Sequence, residues 1–217
     1  MKYILLGASG TAKVIASSLL RNGTWAEDII VLDDDETKIG NFLLNGMVPI
    51  VDKIGNLKNN TGNIINCVGS IGDNSLRNKI FTIVGSYTIE SYYDIKPSIK
   101  FSGYIDPTCV IFYSKISDSV ILLPNVTINV GTQIGNNVLI NTGSIIEHDC
   151  KIGDYTFIAP GCNIAGNVTI GKNVFIGIGT TIIGGVTIGD NVVIGAGSLV
   201  LRDVESNSKV YGHPVHK

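Results

Sequence analysis

Of the three histidines in the chain, His148, His213 and His216, only His148 lies away from the C-terminal tail. It sits in Asn141-Thr142-Gly143-Ser144-Ile145-Ile146-Glu147-His148-Asp149-Cys150, between two carboxylates in a stretch otherwise free of charge. A carboxylate beside an imidazole fixes its tautomer and stabilises its protonated form, so this triplet has the make-up of a general base with its orienting acid. Either Glu147 or Asp149 could fill the second role. A catalytic zinc site of three imidazoles needs more histidines than this region holds, and no metal is expected. Cys67, Cys109, Cys150 and Cys162 show no CxxC spacing and read as reduced, mostly buried thiols rather than a disulfide framework or covalent nucleophiles.

The element that must carry His148 is written in a period of six. Ile134, Ile140, Ile146, Ile152, Ile158, Ile164, Ile170, Ile176, Ile182, Ile188 and Ile194 recur without a skip, and the phase extends back through Ile128, Leu122, Ile116 and Val110 and forward to Val200. Four steps after each Ile the residue is small or β-branched, as at Ser144, Cys150, Thr156, Cys162 and Val168. Neither 3.6 nor 2 generates this spacing, and such repeats mark a solenoid. One short strand plus a tight turn fits six residues, and three units close a triangular coil in which residues i and i+18 stack. Isoleucines then point inward, small residues fill the corners, and Gly and Asn take the turns that need positive φ. Residues 110–200 give about five such coils, on this strand-plus-turn reading. His148, third in its hexapeptide, falls on a turn and points outward.

Charge marks the same region. Only eight charged residues (Lys115, Asp118, Glu147, Asp149, Lys151, Asp154, Lys172 and Asp190) fall within 110–200, although 16% of the chain is charged. The net charge of −2 provides no basic surface for nucleic acid. The apolar run at the N-terminus, Tyr3-Ile4-Leu5-Leu6, is too short for a signal sequence or a membrane span. It reads as a buried strand, and the protein as cytoplasmic.

Ahead of the repeats the sequence alternates strand and helix. Tyr3–Leu6 is a strand, Gly7-Ala8-Ser9-Gly10 a loop, Thr11–Arg21 a helix closed by Asn22-Gly23, and Asp28–Leu32 a second strand ending on Asp33-Asp34-Asp35. Asn63–Val68 is a third strand and Leu76–Val84 a second helix. The alternation argues for a small parallel sheet of three or four strands. The Gly7–Gly10 loop stands where backbone N–H groups and a helix N-terminus favour phosphate, and an acidic strand end can take a hydrogen bond from a ribose or base. The expected divisions are 1–91 as a Rossmann-like nucleotide-sugar-binding domain, 92–109 as connector, 110–203 as the coil domain and 204–217 as tail.

The hexapeptide pattern resembles the hexapeptide-repeat acyltransferases, which form a left-handed parallel β-helix. The Gly-Ala-Ser-Gly loop, the acidic strand end and the 141–166 segment with Glu147-His148-Asp149 narrow the resemblance. It points to bacterial sugar O-/N-acyltransferases of the sialic acid O-acetyltransferase type, closest to those acting on nucleotide-linked 4-amino-4,6-dideoxy sugars. That resemblance implies acetyl-CoA as co-substrate, His148 as general base and Asp149 as its orienting acid. It also implies Asn141 against the sugar amine, and Gly7, Ser9, Gly10, Asp33 and Asp34 around the nucleotide. Phe157, Gly166 and Ile178 fall along the coenzyme A groove, and the assembly is a homotrimer with active sites between subunits. Phe157 stands where the family usually has a second His, Thr11 where a His commonly follows the loop, and Ile105-Asp106-Pro107 where the family has Ile-His-Pro. O-acetylation of a sialic acid or another sugar hydroxyl, and a non-catalytic nucleotide-binding trimer, are the competing readings.

Overall fold

The structure, a computed structural model, describes residues 2–60, 62–68, 76, 79, 80 and 100–215. Two compact units divide the chain, one holding residues 1–69 and 75–102, the other 70–74 and 103–217.

In the first unit, β1 (Tyr3–Leu6), α1 (Gly10–Arg21), β2 (Ile29–Leu32), β3 (Phe42–Leu43), β4 (Val48–Asp52), β5 (Asn63–Asn66) and β6 (Lys100–Phe101) form a six-stranded sheet of order β3-β4-β2-β1-β5-β6. All neighbours are parallel except β3 and β4. Ile4, Leu6, Leu32, Ile54, Leu57 and Ile64 pack together in its core. Ala12, Ile15, Ala16 and Leu19 form the buried side of α1, the small alanines letting the helix lie close. The helix stops at Asn22, and Gly23 follows with φ of +88°.

The sheet is larger than the strand–helix alternation predicts. The additions are β6 and the β3–β4 hairpin, whose turn holds Leu44, Asn45 and Gly46 at positive φ. Asn45-Gly46 is a strong turn signal. The two-residue β3 is too short for alternation to reveal. The helix expected over Leu76–Val84 lies largely outside the described residues.

The second unit is a parallel β-helix. Its strands are two residues long and stack in three sheets of seven, six and five. The inward phase is continuous: Leu122 and Ile128 through Ile194 to Val200 are all nearly inaccessible to solvent. The stacking is i to i+18 through this stretch, as in Ile140↔Ile158 and Ile146↔Ile164.

Two details differ from the sequence reading. Below Ile116 the phase slips by one: Val110 pairs with outward-facing Thr127 and Ile111 with Ile128, so Val110 is exposed rather than inward. Strands also continue beyond both ends of the six-residue phase, at Tyr104–Ile105 and Lys209–Val210, giving about six coils rather than five. The stretch expected to connect the units therefore supplies Lys100–Phe101 to the first sheet and Tyr104–Ile105 to the coil.

Buried hydroxyls at the fifth position do more than fill corners. Ser144 Oγ donates to the Ala159 carbonyl at 2.9 Å and accepts from the Cys162 N–H at 3.1 Å. Thr156 Oγ1 makes the same bridge between the Gly171 carbonyl and the Val174 N–H. Each satisfies backbone groups facing the dry core. Gly153 owes its identity to close packing and not to positive φ: a Cβ there would lie 2.5 Å from the Gly171 carbonyl of the next coil.

Candidate active site

The corners after Ile128, Ile146, Ile164 and Ile182 stack, so Val130-Gly131, His148-Asp149, Gly166-Asn167 and Gly184-Gly185 form one column of turns. The Asp149 N–H donates to the Val130 carbonyl and the Asn167 N–H to the His148 carbonyl, both at 2.9 Å. Asp149 has φ of +60°, a left-handed conformation that Asp tolerates better than most residues. That backbone turns its carboxylate back onto its neighbour, and His148 Nδ1 lies 2.9 Å from Asp149 Oδ2.

With the carboxylate on Nδ1, that nitrogen carries the proton and Nε2 is left as the basic atom. Half of the His148 side chain is exposed. The ring lies over Gly166, where a Cβ would stand 2.5 Å from Nε2 and 2.6 Å from Cε1. Any residue but glycine at 166 would push the imidazole aside. The Gly166 N–H meets no acceptor among the described residues.

Glu147, the other carboxylate beside His148, is engaged elsewhere: its Oε2 accepts from Asn129 Nδ2 at 2.9 Å, one coil below. Asn129 is the residue that sequence reading missed. Only its position 18 before Glu147 could have pointed to it.

The remaining candidates divide. Asn141 lies on a different face, half-buried, with Oδ1 accepting the Thr142 N–H at 2.8 Å. Phe157 is buried and stacked on Phe175 one coil above, ring centroids 5.5 Å apart and 7° from parallel. Ile178 is a turn residue, 56% exposed. Three of the cysteines are poor sources of thiolate: burial raises the thiols of Cys109 and Cys150 and pushes Cys162 up to about 11. Among the described residues no group of three His, Cys, Asp or Glu could hold a metal ion.

In the first unit, the Gly7–Gly10 loop is built around Asp33. The Gly7 N–H donates to the Leu32 carbonyl at 2.8 Å, Ala8 N–H to Asp33 Oδ2 at 2.6 Å and Asp35 N–H to Asp33 Oδ1 at 2.8 Å. Asp33 is buried, with Lys38 Nζ at 3.4 Å. Asp34 is exposed and caps the Ile54 N–H at 3.0 Å. The Ser9 hydroxyl donates to the Cys67 carbonyl at 2.6 Å. Gly7 has φ of +91° and lies against Val68, so a side chain is excluded on both counts. The first N–H groups of α1, from exposed Gly10 onward, have no intrahelical acceptor. They are the part of this loop able to meet an anion.

Comparisons with known proteins agree with both units. Residues 2–84 match the PglD N-terminal domain, and residues 131–166 and 167–202 match the bacterial transferase hexapeptide (six repeats). A histidine-to-alanine mutant of GDP-perosamine N-acetyltransferase from Caulobacter crescentus, solved with CoA and GDP-perosamine, is similar at 28% identity and TM-score 0.83. The match covers 100% of this chain and 96% of that one. The acetyltransferase domain of PglB from Neisseria gonorrhoeae, solved with acetyl coenzyme A, is 25% identical with TM-score 0.84, covering 99% and 98%. WeeI from Acinetobacter baumannii shares the fold at 22% identity, TM-score 0.83, covering 100% and 99%. A PglD-type N-terminal domain followed by a left-handed β-helix of hexapeptide repeats, in a chain that matches sugar N-acetyltransferases along its length, makes this protein a hexapeptide-repeat sugar acyltransferase.

Proposed function

We propose that the protein transfers the acetyl group of acetyl-CoA to the 4-amino group of a nucleotide-linked 4-amino-4,6-dideoxy sugar, with His148 as general base. The single observation that carries the catalytic assignment is the His148–Asp149 contact of 2.9 Å, which leaves Nε2 basic and exposed. The substrate class rests on the ligands of the relatives: CoA with GDP-perosamine in one, acetyl coenzyme A in another.

The sugar amine attacks the thioester carbonyl carbon and His148 Nε2 takes the proton that the amine must lose. Asp149 holds the ring through Nδ1 and stabilises the imidazolium. The Gly166 N–H, without an acceptor and next to the ring, is suited to the oxyanion of the tetrahedral intermediate. As the C–S bond breaks, the imidazolium returns the proton to the departing thiolate. With the thiols of the three coil cysteines, Cys109, Cys150 and Cys162, all raised by burial, direct attack is favoured over an acyl-enzyme. Holding both substrates together supplies much of the remaining acceleration. In this reading Gly166 borders the coenzyme A path beside His148, and Asn141, Phe157 and Ile178, which lie off the His148 column, come to the site from a second copy, Phe157 and Ile178 along the coenzyme A path and Asn141 at the acceptor amine. Gly7, Ser9, Gly10, Asp33 and Asp34 shape the nucleotide end, with Asp33 bracing the loop from beneath.

The working assembly is a homotrimer with active sites between subunits. Support comes from the coil: Val130, one turn below His148 in the same column, is 50% exposed, and Phe112 and Tyr113 in the turn below that are exposed too. Exposed apolar groups adjoining a catalytic residue suit a second copy as cover. No helix among the described residues is long and apolar enough to cross a membrane. The cytoplasm, where acetyl-CoA and nucleotide sugars occur, is the compartment we assign.

A thiol-release assay with acetyl-CoA across UDP-, dTDP- and GDP-linked 4-amino-4,6-dideoxy sugars and free sialic acid tests the substrate. Turnover confined to one or more nucleotide-linked amino sugars is expected. Preference for sialic acid would move the assignment to O-acetylation, and acetyl-CoA binding without turnover on any acceptor would leave a non-catalytic scaffold.

A further inference from the structure

We infer that Gly131 is a positioning residue for catalysis: it provides the slot in which the Asp149 carboxylate lies while it holds His148. The inference rests on His148 acting as the base. Gly131 is the turn residue one coil below Asp149, at φ of +77°. A Cβ built on it would overlap Asp149 Oδ1, with the Asp149 backbone no nearer than 3.6 Å. The collision is thus with the end of a movable side chain, and that side chain would yield. What it would surrender is the 2.9 Å contact with His148 Nδ1.

Backbone conformation alone does not explain glycine here. The turn positions directly above, Asp149 and Asn167, carry side chains at φ of +60° and +61°, so the column accepts them. At Gly143, Gly161, Gly179, Gly185 and Gly197, also at positive φ, an added Cβ would meet nothing within 4 Å. Gly131 alone among these coil-turn glycines faces a catalytic group across the space its missing side chain leaves. Its absent methyl keeps the carboxylate in line before substrate arrives, which is where preorganisation acts.

The test compares Gly131→Ala with Gly161→Ala, which imposes the same left-handed strain in a coil turn but has open space around it. Gly131→Ala is expected to lower kcat about tenfold or more while KM for either substrate moves less than about twofold; Gly161→Ala leaves both near wild type. Added to Asp149→Gly, Gly131→Ala should change kcat less than about twofold, because its target has gone. A Gly131→Ala turnover matching that of Gly161→Ala would overturn the inference, as would an undiminished loss in the Asp149→Gly background. Should Gly131→Ala not fold, the double variant decides. It is expected to fold, with a urea midpoint lowered no more than Gly161→Ala lowers it, and its failure to fold would overturn the slot. This stability cycle reads no activity, so it stands apart from whether His148 is the base.

Discussion

Burial separates two groups of the coil that could have served as nucleophile or base, Cys162 and His148. Cys162 is inaccessible, its Sγ 3.2 Å from the Gly177 carbonyl, and loss of solvation pushes its thiol from 9.0 to about 11. A thiol held neutral by the fold contributes stability that is complete below pH 9 and is lost as pH climbs towards 11, by about 2–3 kcal/mol at the far end. Urea unfolding of wild type and Cys162→Ser at pH 8 and pH 10.5 should show the serine variant gaining on wild type at the higher pH. An unchanged difference would contradict it. His148 and Asp149 were legible because the pair is adjacent in the chain. The choice between Glu147 and Asp149 was not, since it turns on Asn129 taking Glu147 from one coil away and on a left-handed backbone at Asp149. Contacts across 18 residues leave little trace in one sequence unless the partner type is distinctive, and an absent side chain such as that of Gly131 leaves less.

The hexapeptide is the element that the sequence displays most openly, because every repeat must send one large apolar group to the same axis. Ile158 is fully buried in that ladder, and Ile145, on the outward row, is 37% exposed. Ile158→Ala should cost about 2–5 kcal/mol in urea unfolding, the range for a buried isoleucine that leaves a cavity, and Ile145→Ala less than about 1 kcal/mol. Equal losses would mean that the inward ladder is not what holds the coils. The period fails where spacing changes: Leu122 stacks on Ile105 after 17 residues and Ile194 on Val210 after 16, so the six-residue phase stops short of both ends of the coil. In the first unit, β1, α1, β2 and β5 were legible from apolar runs and their Gly and Asn boundaries. The β3–β4 hairpin and β6 were not, since a two-residue strand has no alternation to read.

For the whole molecule, low charge in the coil and exposed Phe112, Tyr113 and Val130 beside the proposed catalytic column favour the proposed trimer, in which further copies cover that surface. Sedimentation equilibrium should return three times the chain mass, and Val130→Glu should shift the distribution towards smaller species with loss of turnover. A monomer with full activity would contradict sites between subunits. The central claim is direct acetyl transfer with His148 as base, and it is tested most directly by kcat of His148→Ala in the thiol-release assay. The assay should use acetyl-CoA and the best nucleotide-linked amino sugar, on protein shown by circular dichroism to remain folded. We expect a fall of about 100-fold or more with acetyl-CoA binding retained; a kcat within about threefold of wild type would contradict the assignment.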